Sequence, residues 1–203
     1  MLYQSRVSIE QSALLVIDAQ DSFKVGSRWE RRSNQVFERN VGALIHAYRA
    51  AGLPVVFFLH TDPDPGFSPG SPELKLMDFI ERRPEERLFD KRTRNVFTGT
   101  DLAEYLLECA VRRIVVTGIQ MEQCCETSAR VAADLGYAVD FVTEATMTFP
   151  IPHSERPGEE LSVEAIRERT EYVLRGRFAR IRSVAEICQE LGAWRLAQEF
   201  SHT

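Results

Sequence analysis

The chain has 203 residues, of which 44% are hydrophobic and 27% are charged, and these values fit one globular domain with a sizeable core spanning residues 1–203. The formal net charge of −5 argues against a nucleic-acid partner. No apolar run reaches the roughly 20 residues that cross a bilayer, and the first residues lack the apolar centre of a signal peptide. We therefore expect a cytoplasmic protein with no membrane partner.

Apolar runs and helical spacing alternate along the chain. Continuous β-branched and aromatic runs predict strands that are covered on both faces, over 13–17, 55–59, 113–117, 138–143 and 178–181. Apolar residues at helical spacing predict helices over 34–51, 101–110, 123–135 and 162–174. This alternation indicates an α/β fold with a doubly wound, mainly parallel sheet.

Two proline-containing stretches, 61–72 and 147–160, interrupt this alternation. We interpret both as loops over the carboxyl edge of the sheet, which is where α/β proteins bind ligands. We expect substrate specificity to depend on these two loops, although neither contains a motif that identifies a ligand.

Asp18 follows the first predicted strand, so its carboxylate should emerge at the ligand-binding edge of the sheet. An ordinary turn residue explains this position equally well. A phosphatase with an aspartyl nucleophile would also place an acid here. That chemistry requires a second carboxylate two residues later, where this chain has Gln20.

Cys124 follows the third predicted strand and a short turn, and we place it in the first turn of the next helix. Unpaired N–H groups and the helix dipole at such a position favour a thiolate and can bind an oxyanion. Alternatively, Cys124 and Cys125 are small apolar residues of a buried helix. Adjacent helical side chains point about 100° apart, so at most one of the two is a nucleophile and the other packs.

Lys91 precedes a polar segment and, taken alone, is explained well enough as a surface lysine. A lysine that enters a cleft instead stabilises a neighbouring thiolate or carboxylate. A nucleophilic thiol needs a base and a positive partner, and Asp18, Lys91 and Cys124 together supply these three elements near one edge of the sheet.

Three segments carry a more specific resemblance. They are LLVIDAQDSF, KRTRNVFTGTDL and VVTGIQMEQCCETSARVAADLGYAVDFVTEAT, in that order along the chain. Together they resemble the isochorismatase-like cysteine hydrolases, a superfamily that includes nicotinamidase, N-carbamoylsarcosine amidohydrolase and ureidoacrylate amidohydrolase. The resemblance extends over residues 12–190 and implies a Rossmann-like, three-layer α/β/α fold with a six-stranded sheet.

The resemblance also implies roles for individual residues. Cys124 would be the nucleophile, Asp18 the general base and proton shuttle, and Lys91 the positive partner of a catalytic triad. It further implies a non-proline cis peptide between Ile119 and Gln120. The N–H groups of Gln120 and Cys124 would then form the oxyanion hole.

The implied activity is hydrolysis of a small amide or ureido substrate through a thioester acyl-enzyme. Nicotinamidases bind a metal through an aspartate and several histidines after the second strand, whereas this chain offers His60 and Asp62 there. We therefore expect neither a metal nor another cofactor. Two alternatives stay open: hydrolysis of a non-amide bond such as a vinyl ether, and a non-catalytic binding or regulatory role on the same fold.

Four residues near the predicted site are candidates for substrate binding: Gln20, Phe23, Trp29 and His60. Core packing explains the aromatic residues equally well. Members of the superfamily commonly form homodimers or homotetramers. The apolar residues Trp194, Leu196 and Phe200 near the carboxyl terminus could pack against such a partner or against the core of their own chain.

Overall fold

A computed structural model describes residues 7–201, with side chains described for residues 7–195. The strands β1 to β8 have the bounds Ser12–Ile17, Val55–His60, Arg87–Lys91, Arg113–Ile119, Ala138–Met147, Ile151–Pro152, Glu160–Leu161 and Arg180–Ile181. Six of them form one parallel sheet in the order β3-β2-β1-β4-β5-β8. The predicted six-stranded parallel sheet is confirmed.

Five helices are described, α1 to α5, with the bounds Phe37–Ala50, Leu102–Glu108, Glu126–Asp134, Val163–Leu174 and Val184–Ser201. Helices α1 and α5 pack on one face of the sheet, and α2 and α3 pack on the other. Along β1, Leu14 and Val16 face the first layer, while Leu15 and Ile17 face the second. Because both faces are covered, every residue of β1 is buried, and the three-layer α/β/α architecture is confirmed.

The sequence did not predict β3 or α5. Strand β3 pairs with β2 alone and is mostly exposed, as is usual for an edge strand, so it lacks the apolar run that marks the central strands. The last strand is shorter than the predicted 178–181, because only Arg180 and Ile181 pair with β5. The loop 147–160 includes β6, which pairs with β7 as a short antiparallel ribbon.

Helix α5 closes one side of the sheet. Trp194 packs against the core on that side, and its Nε1 donates a hydrogen bond to Oε2 of Glu10 at 3.0 Å. Leu196 and Phe200 lie outside the described side chains, and a dimer or tetramer stays a prediction. Over residues 7–201, no helix is both long enough and apolar enough to span a bilayer.

Candidate active site

The carboxyl ends of four neighbouring strands converge on one point. Asp18 follows β1 directly, His60 and Lys91 are the last residues of β2 and β3, and Cys124 follows β4. Because the strands are parallel and adjacent in the order β3-β2-β1-β4, these side chains meet at one edge of the sheet. All four are buried.

Asp18 stands at a tight bend in the chain. Its φ is +51°, in the left-handed region that a non-glycine residue rarely adopts and that aspartate tolerates better than most. Its backbone N–H donates to the carbonyl of Phe58 on β2 at 3.1 Å, and its own carbonyl accepts from the N–H of Gln20 at 2.8 Å. The bend thus fixes the carboxylate against the neighbouring strand.

Lys91 joins the acid and the thiol. Its Nζ lies 2.8 Å from Oδ2 of Asp18 and 3.5 Å from Sγ of Cys124. The same ammonium lies 3.3 Å from Nδ1 of His60 and donates to the carbonyl of Thr93 at 3.2 Å. The side chains of Lys91 and Asp18 are wholly buried, so their attraction is screened far less than that of a surface pair.

A close approach of two strands precedes the cysteine. Gly118 pairs with Ile17, and a Cβ at this glycine would lie 1.9 Å from the Ile17 carbonyl oxygen, so no other residue fits. The peptide between Ile119 and Gln120 is cis, as predicted. A single π-helical turn, Met121–Cys125, follows it.

The structure therefore places Cys124 in this π-helical turn, before α3 begins, and not in the first turn of α3 as predicted. Burial raises the pKa of the Cys124 thiol to about 12, the negative charge of Asp18 acts in the same direction, and Lys91 offsets these effects only in part. The raised pKa runs against the expectation that a helix N-terminus favours a thiolate at this position. A protonated thiol needs a base, and a carboxylate oxygen of Asp18 lies within 4.8 Å of Sγ.

Burial also acts on His60. It lowers the pKa of the imidazole, and the nearby charge of Lys91 adds to this effect, so His60 is neutral at pH 7. Its Nε2 contacts Nη1 of Arg94 and lies 3.5 Å from Oδ2 of Asp62. The backbone of His60 is held by Gln20, whose Oε1 accepts from the His60 N–H at 2.7 Å and whose Nε2 donates to the His60 carbonyl at 3.0 Å.

A cavity of about 290 Å³ opens on the thiol. It is lined by Phe23, Arg28, His60, Asp62, Asp64, Phe67, Arg94, Gln120, Gln123 and Cys124. A second cavity of about 350 Å³ lies beside Met121 and Thr143, and its lining includes none of the triad. The smaller cavity is thus the one that gives access to the reactive sulfur.

The cavity includes two of the four predicted substrate-binding residues, Phe23 and His60. The amide of Gln20 is instead occupied by the His60 backbone and by Oγ of Ser22 at 2.7 Å. Trp29 packs against the core beside α1, away from the lining. Substrate binding by these four residues and an oxyanion hole formed by the N–H groups of Gln120 and Cys124 stay predictions.

No sequence pattern marked several of the lining residues. Arg28 lies in the short 3₁₀ helix Ser27–Arg31, and Gln123 lies in the π-helical turn. Phe67 and Arg94 lie in irregular segments, and none of these places has an extended periodicity that marks a side chain as facing a cavity. The loop predicted over 61–72 does reach the site, because it supplies Phe67 and the two acids of the lining.

One group of potential metal ligands lies here. A carboxylate oxygen of Asp18, a ring nitrogen of His60 and Sγ of Cys124 all lie within 4.8 Å of one another. All three residues also contact Nζ of Lys91, whose positive charge occupies the position between them. An ammonium in that position repels a second cation, so this donor set does not suit a metal ion.

Comparisons with known proteins identify the family to which this chain belongs. The isochorismatase domain model matches residues 12–191. Nicotinamidase 3 of Arabidopsis thaliana is 30% identical over 154 residues, which cover 68% of this chain and 74% of that protein. A crystal structure of an isochorismatase-family protein from Chromobacterium violaceum matches with a TM-score of 0.84 and 28% identity, covering 93% of this chain and 97% of that one.

A cysteine hydrolase from Pseudomonas syringae pv. phaseolicola shares the fold, with a TM-score of 0.82 at 18% identity over 92% of this chain and 95% of that one. The match to the domain model covers most of the chain, since it runs from the first strand to α5. The chain therefore belongs to the isochorismatase family of hydrolases.

Proposed function

We propose that this protein hydrolyses the C–N bond of a small amide or ureido substrate through a thioester on Cys124. The observation that carries the proposal is the position of the Lys91 ammonium, 2.8 Å from Asp18 and 3.5 Å from the sulfur of Cys124, a residue that lines a cavity. An acid, a thiol and a positive partner in contact are the elements that thiol-based acyl transfer requires.

In the first half-reaction, Asp18 accepts the proton of the Cys124 thiol as the sulfur attacks the substrate carbonyl carbon. The carbonyl π electrons move onto oxygen, where the N–H groups of Gln120 and Cys124 stabilise the negative charge. Collapse of this intermediate breaks the C–N bond. Asp18 returns its proton to the leaving nitrogen, so ammonia or an amine departs and a thioester remains.

In the second half-reaction, Asp18 accepts a proton from water as the water oxygen attacks the thioester carbonyl. The C–S bond then breaks, and the departing sulfur takes up the proton held by Asp18. The carboxylic or carbamic acid product leaves, and the thiol is restored. Lys91 stabilises the anionic form of Cys124 during each step.

Two observations favour a C–N bond over a vinyl ether. The cysteine is buried beside a base and has no evident role in a reaction that does not form a covalent acyl-enzyme. One of the relatives is also a nicotinamidase, an enzyme named for amide hydrolysis. The small cavity supports a substrate of low molecular weight.

The test compares Cys124→Ala with Cys125→Ala on a panel of small amides and ureides. Cys125 is the adjacent buried cysteine and serves as the matched control. We expect Cys124→Ala to lose at least about a thousandfold in kcat while Cys125→Ala stays within about threefold. Intact-mass spectrometry of the rapidly quenched wild type should show an acyl adduct that maps to Cys124.

Amide hydrolysis that persists in Cys124→Ala would refute the thioester route, whereas turnover of a vinyl ether but of no amide or ureide would favour the non-amide chemistry. Absence of turnover across the panel, together with the absence of any acyl adduct on Cys124, would instead favour a binding or regulatory role.

A further inference from the structure

Arg28 forms part of the wall of the catalytic cavity in an unusual setting. Its guanidinium carbon lies 5.1 Å from the ring centroid of Phe23, 5.3 Å from that of Phe67 and 5.6 Å from that of Phe149. Three aromatic rings thus surround a cation that faces the same cavity as Cys124. The rings restrict the guanidinium plane without occupying its N–H donors.

The hydrogen-bonding capacity of Arg28 is poorly used within the protein. Its Nε donates to the carbonyl of Phe23 and its Nη2 to that of Ser22, both at 3.4 Å, which is long for such bonds. No carboxylate among residues 7–195 forms an ion pair with it. Asp64, the acid whose charge acts on it, is exposed to solvent that screens the interaction.

The second arginine of the cavity provides a comparison. Arg94 lies 3.6 Å from Oδ2 of Asp62 and contacts Nε2 of His60, so its charge already has partners. Burial lowers the pKa of Arg28, which means that desolvation of its charge is not fully compensated. An arginine remains charged in a protein and binds planar anions with two parallel N–H donors.

We infer that the substrate carries a carboxylate, which Arg28 binds while the carbonyl at the other end of the molecule faces Cys124. This inference rests on the proposed function and narrows it to short ω-amide acids and N-carbamoyl amino acids. A cavity of about 290 Å³ suits such molecules, because it lies at the lower end of the usual range for small-ligand sites, about 300–1,000 Å³.

The first experiment uses matched substrate pairs that differ only at the distal group. Succinamate is compared with butyramide, and N-carbamoyl-β-alanine is compared with N-propylurea. The wild type should prefer the carboxylate member of each pair by about 10- to 100-fold in kcat/KM, the range expected for charge-assisted hydrogen bonds. The preference should appear mainly in KM, because the carboxylate lies away from the reacting carbonyl.

Two variants and one control assign the preference to Arg28. Arg28→Gln should abolish the difference in kcat/KM between the two members of each pair, while Arg28→Lys should restore part of it, since a lysine keeps the charge without the planar donor pair. Arg32→Gln is the matched control. Arg32 lies in the same segment and stacks on Trp29 at 4.8 Å, outside the cavity lining, so its loss should not change the preference.

Succinate, which has no scissile C–N bond, separates this inference from the proposed function. It should slow alkylation of Cys124 by iodoacetamide in the wild type and not in Arg28→Gln. If no amide is hydrolysed but this protection is seen, the proposed function fails and the carboxylate site stands. If neutral and acidic amides are hydrolysed equally well, or if Arg28→Gln keeps the preference, the carboxylate site is overturned and the proposed function stands. If succinate fails to protect and no amide is hydrolysed, both are overturned.

Discussion

Two buried ion clusters lie at opposite edges of the same sheet, separated by roughly 20 Å, the length of a six-residue strand. At the amino edge, Nε of Arg113 on β4 donates to Oδ2 of Asp140 on β5 at 2.7 Å, and Arg180 on β8 donates to Oδ1 at 2.7 Å. Both terminal nitrogens of Arg113 also contact Glu190 of α5, at 2.6 and 2.9 Å. Each oxygen of Asp140 is therefore paired.

The cluster at the carboxyl edge is more completely buried and is incompletely paired. Among the described residues, Oδ1 of Asp18 has no hydrogen-bond partner, and the Cys124 thiol beside it carries a raised pKa. Buried polar atoms are normally satisfied, and exceptions concentrate at functional sites. The comparison shows that one sheet carries a structural cluster and a chemical cluster. The cluster around Arg113 and Asp140 joins three strands and α5, while the cluster around Asp18 retains a free oxygen that can accept a proton.

Replacing Asp18 should have the largest effect on activity. Asp18→Asn removes the base without changing the shape of the side chain, so kcat should fall by about 10²- to 10⁴-fold, as for other general bases. Steady-state kinetics with the best substrate of the panel measure this fall in kcat. Asp21→Asn is the matched control, since Asp21 is buried nearby and pairs with Lys24 and Lys75 outside the triad. A loss of less than about tenfold in Asp18→Asn would show that Asp18 is not the base.

Replacing Arg113 should affect stability instead. Arg113→Met leaves Asp140 and Glu190 with fewer partners in a buried position, so the free energy of unfolding should fall by about 3 kcal/mol or more. Urea titration measures the loss, and kcat of the folded fraction should stay within about threefold of the wild type. Arg180→Met, which removes a partly exposed arm of the same cluster, should cost less. A large loss of kcat in the folded Arg113→Met protein would contradict the separation of tasks.

The pH dependence of alkylation tests the state of the thiol. Because burial raises the pKa of Cys124 to about 12, the proton stays bound at neutral pH and the thiolate fraction grows as pH rises. The rate of Cys124 modification by iodoacetamide should increase by about tenfold per pH unit between about pH 7 and pH 11, whereas free cysteine levels off above its pKa of about 8.5. Peptide mass spectrometry separates Cys124 from the other cysteines. A rate at Cys124 that levels off below about pH 8.5 would show that a resting thiolate exists after all.

The sequence was informative where burial leaves a local pattern. The central strands are continuous apolar runs, and Asp18 and Cys124 could be placed at the sheet edge because each follows such a run. The identification of Lys91 depended on the family resemblance, because β3 is an exposed edge strand that contains charged residues and lacks an apolar run. Lys91 lies on β3 and contacts Asp18, which follows β1, across the intervening β2. Only the order of the strands in the sheet shows that these two residues are close.

Other features depend on contacts between distant segments. The raised pKa of Cys124 was not predicted, because a local argument from the helix dipole omits the burial that surrounding elements impose, and because the cysteine precedes α3. Arg28 was missed for a similar reason. Its three aromatic neighbours come from separate segments, and Phe67 and Phe149 belong to the two long loops. Residues that come together from distant segments have no regular spacing along the chain that a sequence pattern could detect.

The smallest expected effect comes from neutralising the Asp18–Lys91 pair as a whole. Either Asp18→Asn or Lys91→Met alone leaves one buried charge without its partner, and both should destabilise the fold. The double variant leaves no charge behind, and methionine fills nearly the volume of lysine, so its free energy of unfolding should return to within about 1 kcal/mol of the wild type or exceed it.

Urea titration of the four proteins gives the coupling energy, and activity should be absent from the double variant. This outcome would mean that the pair is retained for its chemistry, in contrast to the Arg113–Asp140 cluster. A double variant as unstable as the sum of its single variants would mean that the two charges support the fold independently, and the division between a structural and a chemical cluster would fail.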